Sequence, residues 1–142
     1  TYDTYSSMDD AYNSLDHFFL NRDPEKQFEA LALVLKENSE MIGTVDSGPL
    51  RFGDMVEIGY VLHRDYWNLG LMSEAVDAYV RYLFDEKNIR RIEISHIAEN
   101  VGSKRVIEKT GFVYEGVRRQ YAKFKDTYVD IPYYSLLKGD LK

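Results

Sequence analysis

The stretch Tyr66-Trp67-Asn68-Leu69-Gly70-Leu71-Met72-Ser73-Glu74-Ala75 sets a glycine turn directly before an amphipathic helix. Met72, Ala75, Val76, Tyr79, Val80, Leu83 and Phe84 recur at three- and four-residue steps, the apolar stripe of a helix that buries one face. Upstream, Met55 to His63 reads as a strand, so the unit is strand, short loop, helix. Glycine permits positive φ and close backbone approach, and the first N–H groups of a helix have no partner inside it. With the positive end of the helix dipole they make a natural cradle for a phosphate, although an ordinary loop with a glycine for bending reads the same way. Two familiar nucleotide loops are excluded. No lysine followed by Ser or Thr closes a Walker-type loop, and Gly70 stands alone where a dinucleotide fingerprint needs three glycines.

A second local signal lies downstream. Arg91-Ile92-Glu93-Ile94-Ser95-His96-Ile97 alternates as a strand does, and Asn100 then stands where a helix is capped. Val101 to Thr110 follows as a short helix stopped by Gly111, and Phe112 opens the next strand. Taken alone, this is also what a capped surface helix with a glycine stop looks like.

Together the two signals reach a family. The order strand, glycine loop, long helix, strand, Asn-capped helix, Gly-Phe resembles the GNAT superfamily of acetyl-CoA-dependent N-acetyltransferases, and within it the Rim-type ribosomal-protein N-acetyltransferase branch. The resemblance is carried by Glu57-Ile58-Gly59-Tyr60-Val61-Leu62, Asp65-Tyr66-Trp67 with Gly70, and Glu74-Ala75. It continues through Glu99-Asn100, Ser103, Arg105-Val106, Glu108-Lys109, Gly111-Phe112, Tyr114-Glu115-Gly116, Asp130 and Tyr134-Ser135-Leu136-Leu137, so that it runs from about Glu29 to Leu137.

The resemblance implies an α/β (α+β) GNAT fold: a central mixed, mostly antiparallel, twisted sheet splayed into a V and flanked by helices. It implies one domain over residues 1–142, and a strand and helix ahead of Thr1; their absence from this sequence reads as truncation. The V would open between Glu57 to Leu62 and Arg91 to Ile97, and the pantetheine arm of acetyl-CoA would enter it as an extra strand. Main-chain groups of Tyr60, Val61 and Leu62 would pair with that arm. The N–H groups of Asn68, Leu69, Gly70, Leu71, Met72 and Ser73 would hold the pyrophosphate. Asn100 would hydrogen-bond the arm through its side chain, and Ser103 would lie near the sulfur.

Departures from the family pattern sharpen the site. The pyrophosphate loop usually begins with Gln or Arg, with Gly three and Gly or Ala five residues on; here those positions are Trp67, Gly70 and Met72. Met72 is bulky for a helix start, which implies a shifted loop, and Trp67 reads as a packing anchor. A Tyr acid seven residues after the Asn is replaced by Ile107, and a Glu base five residues before it by Ser95. That leaves Glu57 as the base, acting through water, and Ser103 as the partner of the leaving thiolate. The plain alternatives are a sheet-face carboxylate paired with Arg or Lys, and a polar residue in a first helical turn. Asp130 and Tyr134 either border the acceptor site or pair within the sheet.

The remaining chain agrees with this frame. One domain of 142 residues can bury a sizeable core. Ser6 to Asn21 reads as a helix broken by Asn21-Arg22-Asp23-Pro24, and Phe28 to Lys36 as a strand apolar on both faces, as a central strand is. Asn38-Ser39 turns into a strand from Met41 to Asp46. Phe112 to Leu137 reads as two long strands joined around Lys125-Asp126-Thr127, their tyrosines (Tyr114, Tyr121, Tyr128, Tyr133, Tyr134) suited to half-buried faces. His17, His63 and His96 are scattered, so no metal site is expected. There is no membrane-length apolar run, no signal-peptide pattern and no cysteine, which fits a cytoplasmic location. A net charge of −6 argues against nucleic-acid binding and suits a cationic acceptor, with Lys104 and Arg105 as a local positive field for the cofactor.

Three functions fit. The first is acetyl transfer from acetyl-CoA to a primary amine: a peptide N-terminus, an aminoglycoside-like antibiotic, a polyamine or another small-molecule amine. The second is a non-catalytic acyl-CoA-binding module, and the third an unrelated α/β interaction domain. A homodimer through the C-terminal strands stays open.

Overall fold

The computed structural model describes residues 29–142; the expected helix over residues 6–21 and its Asn21-to-Pro24 break lie outside them. Among the described residues six strands form one sheet: β1 (Glu29–Val34), β2 (Met41–Ser47), β3 (Met55–Leu62), β4 (Arg91–Ser95), β5 (Val113–Phe124) and β6 (Thr127–Leu137). Their order is β1-β2-β3-β4-β6-β5. Neighbours are antiparallel except β3 and β4, which run parallel. A parallel pair cannot be closed by a hairpin, and the crossover is the helix α1 (Leu71–Asp85). A second helix, α2 (Val101–Lys109), connects β4 to the β5–β6 hairpin.

Both helices cover one face of the sheet. The α1 stripe anticipated from its spacing is the one buried: Met72, Val76, Tyr79, Val80, Leu83 and Phe84. It meets Val56, Ile58, Ile92, Ile94, Leu136 and Ile107 of α2 in one apolar cluster. Each such side chain contributes roughly 1.5–3 kcal/mol by leaving water, so this face anchors the loop that precedes α1. The opposite face carries the alternate residues, among them Asp46, Glu57, Glu93 and Ser95.

Two expectations are corrected. Phe28 to Lys36 reads as a central strand, but among the described residues β1 (Glu29–Val34) ends the strand order, with Leu31 and Val34 exposed. A run of Ala and Leu is compatible with either position, so composition could not decide. In the hairpin, Tyr134 is buried, but Tyr114, Tyr121 and Tyr128 are exposed rather than half-buried.

Candidate active site

The rungs between β3 and β4 run from Met55↔Arg91 to Ile58↔Ile94 and stop there. Beyond them β3 stays on β2 as far as Gly43↔Leu62, while the chain after β4 follows β6; His96 N–H donates to the Pro132 carbonyl and Ala98 N–H to that of Asp130. The two central strands therefore part into a V. Alternation along β3 settles which groups face the gap. His63 N–H donates to Ile42 O and Glu57 O accepts from Gly48 N–H, so odd-numbered residues direct their main chain at β2. Val61 is one of them, its carbonyl directed at Gly43. The main chains of Tyr60 and Leu62 point into the gap instead. The Leu62 carbonyl is taken there by the Trp67 indole N–H at 2.9 Å.

The loop after β3 turns through a short 3-10 segment, Arg64–Tyr66. Asn68 (φ 63°) and Gly70 (φ 81°) then adopt left-handed conformations, a pattern that gathers successive N–H groups into an anion-binding concavity. Gly70 caps α1 without a side-chain hydrogen bond, and the first helical bond is Glu74 N–H to the Gly70 carbonyl. The N–H groups of Asn68, Leu69, Gly70, Leu71, Met72 and Ser73 consequently have no acceptor among the described residues. Met72, which had implied a shifted loop, turns its side chain into the core at 4% exposure, so its bulk does not obstruct the cradle. Trp67 does anchor the loop, but through its indole hydrogen bond rather than by burial, being 54% exposed.

On the far side of the gap, Asn100 caps α2 by accepting from Ser103 N–H at 3.0 Å. Its carbonyl oxygen is thereby committed, and its amide N–H groups are what it can offer a ligand. Tyr60 crosses the gap on the helix face: its hydroxyl lies 2.8 Å from Ser103 Oγ and donates to the Ser103 carbonyl at 3.1 Å. Burial pushes this phenol up, offset in part by the Ser103 hydrogen bond. Ile107, the family's acid position, is fully buried.

The opposite face of the V is polar. Glu57 accepts from Ser95 Oγ at 2.8 Å and pairs with Arg51 at 3.2 Å. Arg51 also reaches Glu93 at 3.4 Å, and Arg91 joins Glu93 at 2.8 Å to Glu115 at 2.6 Å. The Arg91 and Ser135 hydrogen bonds hold the Glu115 carboxyl below its usual range. Glu57 thus has the partners of a structural sheet-face carboxylate while also lining a cavity of about 540 Å³, shared with Asp46, Arg51, Gly59 and Ser95. Asp46 has neither a hydrogen bond nor an ion pair among the described residues, and burial pushes its carboxyl up. Gly59 makes room for it: a side chain there would begin 3.0 Å from Asp46 Oδ1.

Asp130 takes a pairing role, while Tyr134 both packs within the sheet and lines a cavity of about 340 Å³ with His96, Lys104, Glu108 and Tyr114. Asp130 accepts from Gln120 N–H at 2.7 Å within the hairpin, and Tyr134 is buried against His96, its hydroxyl 3.3 Å from Nε2. Lys104 is partnered by Glu108 at 3.7 Å. Among the described residues no cluster of His, Asp or Glu suits a metal, and no helix is long and apolar enough to cross a membrane. Sequence reading did not single out Asp46, Arg51 or the Tyr60 hydroxyl. The only signal for the first was an acidic residue inside an apolar strand pattern.

The profile of the acetyltransferase (GNAT) domain family matches residues 2–113. An uncharacterized N-acetyltransferase, p20, of Bacillus licheniformis is 36% identical over 117 residues, 82% of this chain and 66% of that protein. The structure of a ribosomal-protein-S5-alanine acetyltransferase from Vibrio fischeri superposes with a TM-score of 0.73 at 30% identity, covering 80% of this chain and 63% of that one. A RimL ribosomal L7/L12 α-N-protein acetyltransferase, solved in complex with coenzyme A, gives 0.67 at 25% identity over 70% of this chain and 56% of that one. The chain spans about two thirds or less of the length of these relatives. The parted strands, the N–H cradle and the Asn-capped helix coincide with that match over most of the sequence: the chain belongs to the GNAT N-acetyltransferase family.

Proposed function

We propose that this protein transfers the acetyl group of acetyl-CoA directly to a primary amine, a peptide N-terminus or a small-molecule amine, in a ternary complex. The observation that carries the reading is the parting of β3 from β4 beyond Ile58↔Ile94, on the side of β3 that leads to the cradle before α1. Bound acetyl-CoA would supply an activated thioester. Everything else is the work of this chain's residues.

The N–H groups from Asn68 through Ser73 hold the pyrophosphate, aided by the helix dipole. Tyr60 and Leu62 offer main-chain groups to the pantetheine arm, and Asn100 offers its amide N–H. Val61, whose main chain serves β2, lines the site without pairing to the arm. The acceptor enters from the opposite face, through the cavity of Asp46 and Glu57, whose carboxylates attract an ammonium ion. Glu57 takes the amine's proton through water, held in place by Ser95 and Arg51. Holding both reactants at the apex of the V supplies much of the acceleration as proximity.

Calorimetric titration with acetyl-CoA, CoA and ATP tests the cofactor, and thiol release with a panel of primary amines tests the transfer. Micromolar binding of acetyl-CoA with negligible ATP binding is expected. A folded protein that ignores acetyl-CoA would overturn the reading; one that binds it and acetylates no amine would favour a non-catalytic acyl-CoA-binding module.

A further inference from the structure

We propose that the cavity between α2 and the β5–β6 hairpin binds a small primary ammonium ion, seated on the Tyr134 oxygen and closed by Glu108. The site is separate from acetyl transfer and does not rest on it: the cavity lies on the β6 side of β4, whereas the gap opens on its β3 side. Two buried polar rings set its chemistry. His96 follows β4, and Tyr134 lies beside it on β6; they are 7% and 5% exposed, with ring centroids 5.7 Å apart. The His96 Nδ1 lies 2.8 Å from the Ile97 carbonyl, which can only accept, so Nδ1 carries the ring proton and Nε2 a lone pair. Tyr134 then donates to Nε2 at 3.3 Å, which commits its one proton. No other hydrogen bond reaches this phenol among the described residues, and its lone pairs are left to the cavity it lines.

The buried rings therefore accept hydrogen bonds and donate none, so a ligand must bring the N–H. Ring faces and a carboxylate make that ligand a cation. Tyr114 meets the Tyr134 ring edge-on at 5.3 Å, and Glu108 borders the same cavity from α2. Burial and then the Glu108 charge push the Tyr134 phenol up, a field that a bound cation relieves. A compact ammonium can give one N–H to Tyr134 and another to Glu108, with its alkyl chain against the rings. Lys104 is the cation already at the rim, half-exposed and 3.7 Å from Glu108. An exposed pair of this kind is worth little, so Glu108 can exchange its lysine for the ligand. The rival reading is an apolar recess that packs any short chain.

Three probes of similar bulk separate the two: n-butylammonium, the neutral n-butanol, and tetramethylammonium, which has charge but no N–H. Each is titrated into the full chain by NMR, following the His96 ring nitrogens and the Ala98 amide, with the Gly59 amide reporting the separate cavity of Asp46 and Glu57. Saturable shifts at His96 and Ala98 are expected with n-butylammonium, at an affinity roughly tenfold above either comparator, the worth of one charge-assisted hydrogen bond. Tyr134→Phe keeps the ring and should lose about that tenfold. Lys104→Met removes the competing cation and should bind about two- to threefold more tightly. Equal binding of n-butanol would identify an apolar recess, and equal binding of tetramethylammonium would take the phenol oxygen out of the site; either overturns the proposal. So would shifts confined to Gly59, an undiminished Tyr134→Phe, or a weakened Lys104→Met. If Tyr134→Phe does not fold, Glu108→Gln at the exposed rim reads the same site, and unchanged n-butylammonium affinity there overturns the proposal as well.

Discussion

Asp46 and Glu57 share a cavity under opposite electrostatic conditions. Glu57 is held by Arg51 and Ser95, whereas Asp46 is without a partner among the described residues and burial pushes its carboxyl up. A carboxyl that binds its proton more tightly folded than unfolded favours folding at low pH, where it is protonated. That contribution is lost as pH rises through the folded-state value. At neutral pH the ionised Asp46 therefore costs stability, and Asp46→Asn should unfold at higher denaturant than the wild type. Below about pH 4, near the ordinary Asp value, the two should converge. A gap independent of pH would show that ionisation is not the cause. Residues of this kind were the least legible in the sequence, because their meaning is set by partners brought close by sheet register. Nothing local links Asp46 to Gly59, Ser95 to Glu57, or Tyr60 to Ser103, which are 13, 38 and 43 positions apart.

Elements were legible where their signals are local. The apolar stripe of α1, the Asn cap and Gly111 stop of α2, and the Lys125-Asp126 turn of the hairpin all mark ends or faces by their own side chains. The place of β1, last in the strand order among the described residues, was not legible because position within a sheet is not a local property. At the start of α2 the Asn100 oxygen caps the helix, and in the function proposed above its amide N–H groups serve the pantetheine arm. Substitution can divide them. Asn100→Ala should lower stability by about 1 kcal/mol, the usual worth of an N-cap, and also weaken acetyl-CoA binding. Asn100→Asp keeps the oxygen that accepts from Ser103 N–H, so stability should stay near the wild type. Its carboxylate has no N–H to donate, and acetyl-CoA affinity should fall roughly three- to tenfold. Urea unfolding and calorimetry on the two variants check this. An Asn100→Asp protein with full affinity would confine Asn100 to capping.

At the scale of the whole molecule the sheet is two halves, β1-β2-β3 and β4-β6-β5, joined edge to edge by four registered pairs between Met55↔Arg91 and Ile58↔Ile94. Past those pairs the halves are related through the helices that cover one face. A ligand lying in the gap as an extra strand would give β3 a strand partner on the side where, among the described residues, it has only the Trp67 indole, and would couple the halves over a greater length. Binding only to the folded state stabilises it by mass action, about 2.7 kcal/mol at a hundredfold excess over Kd, but where that stabilisation appears depends on the pose. With pantetheine between the strands, hydrogen exchange at Tyr60 and Leu62 N–H should slow together with exchange at the α1 N-terminus. The β5–β6 hairpin, remote from the gap in the strand order, should gain protection only to the extent that global unfolding is suppressed. Protection confined to Asn68 through Ser73, with Tyr60 and Leu62 exchanging as in the free protein, would mean that the phosphates bind while the arm lies elsewhere. The gap would then be a feature of the fold and not the seat of the reaction.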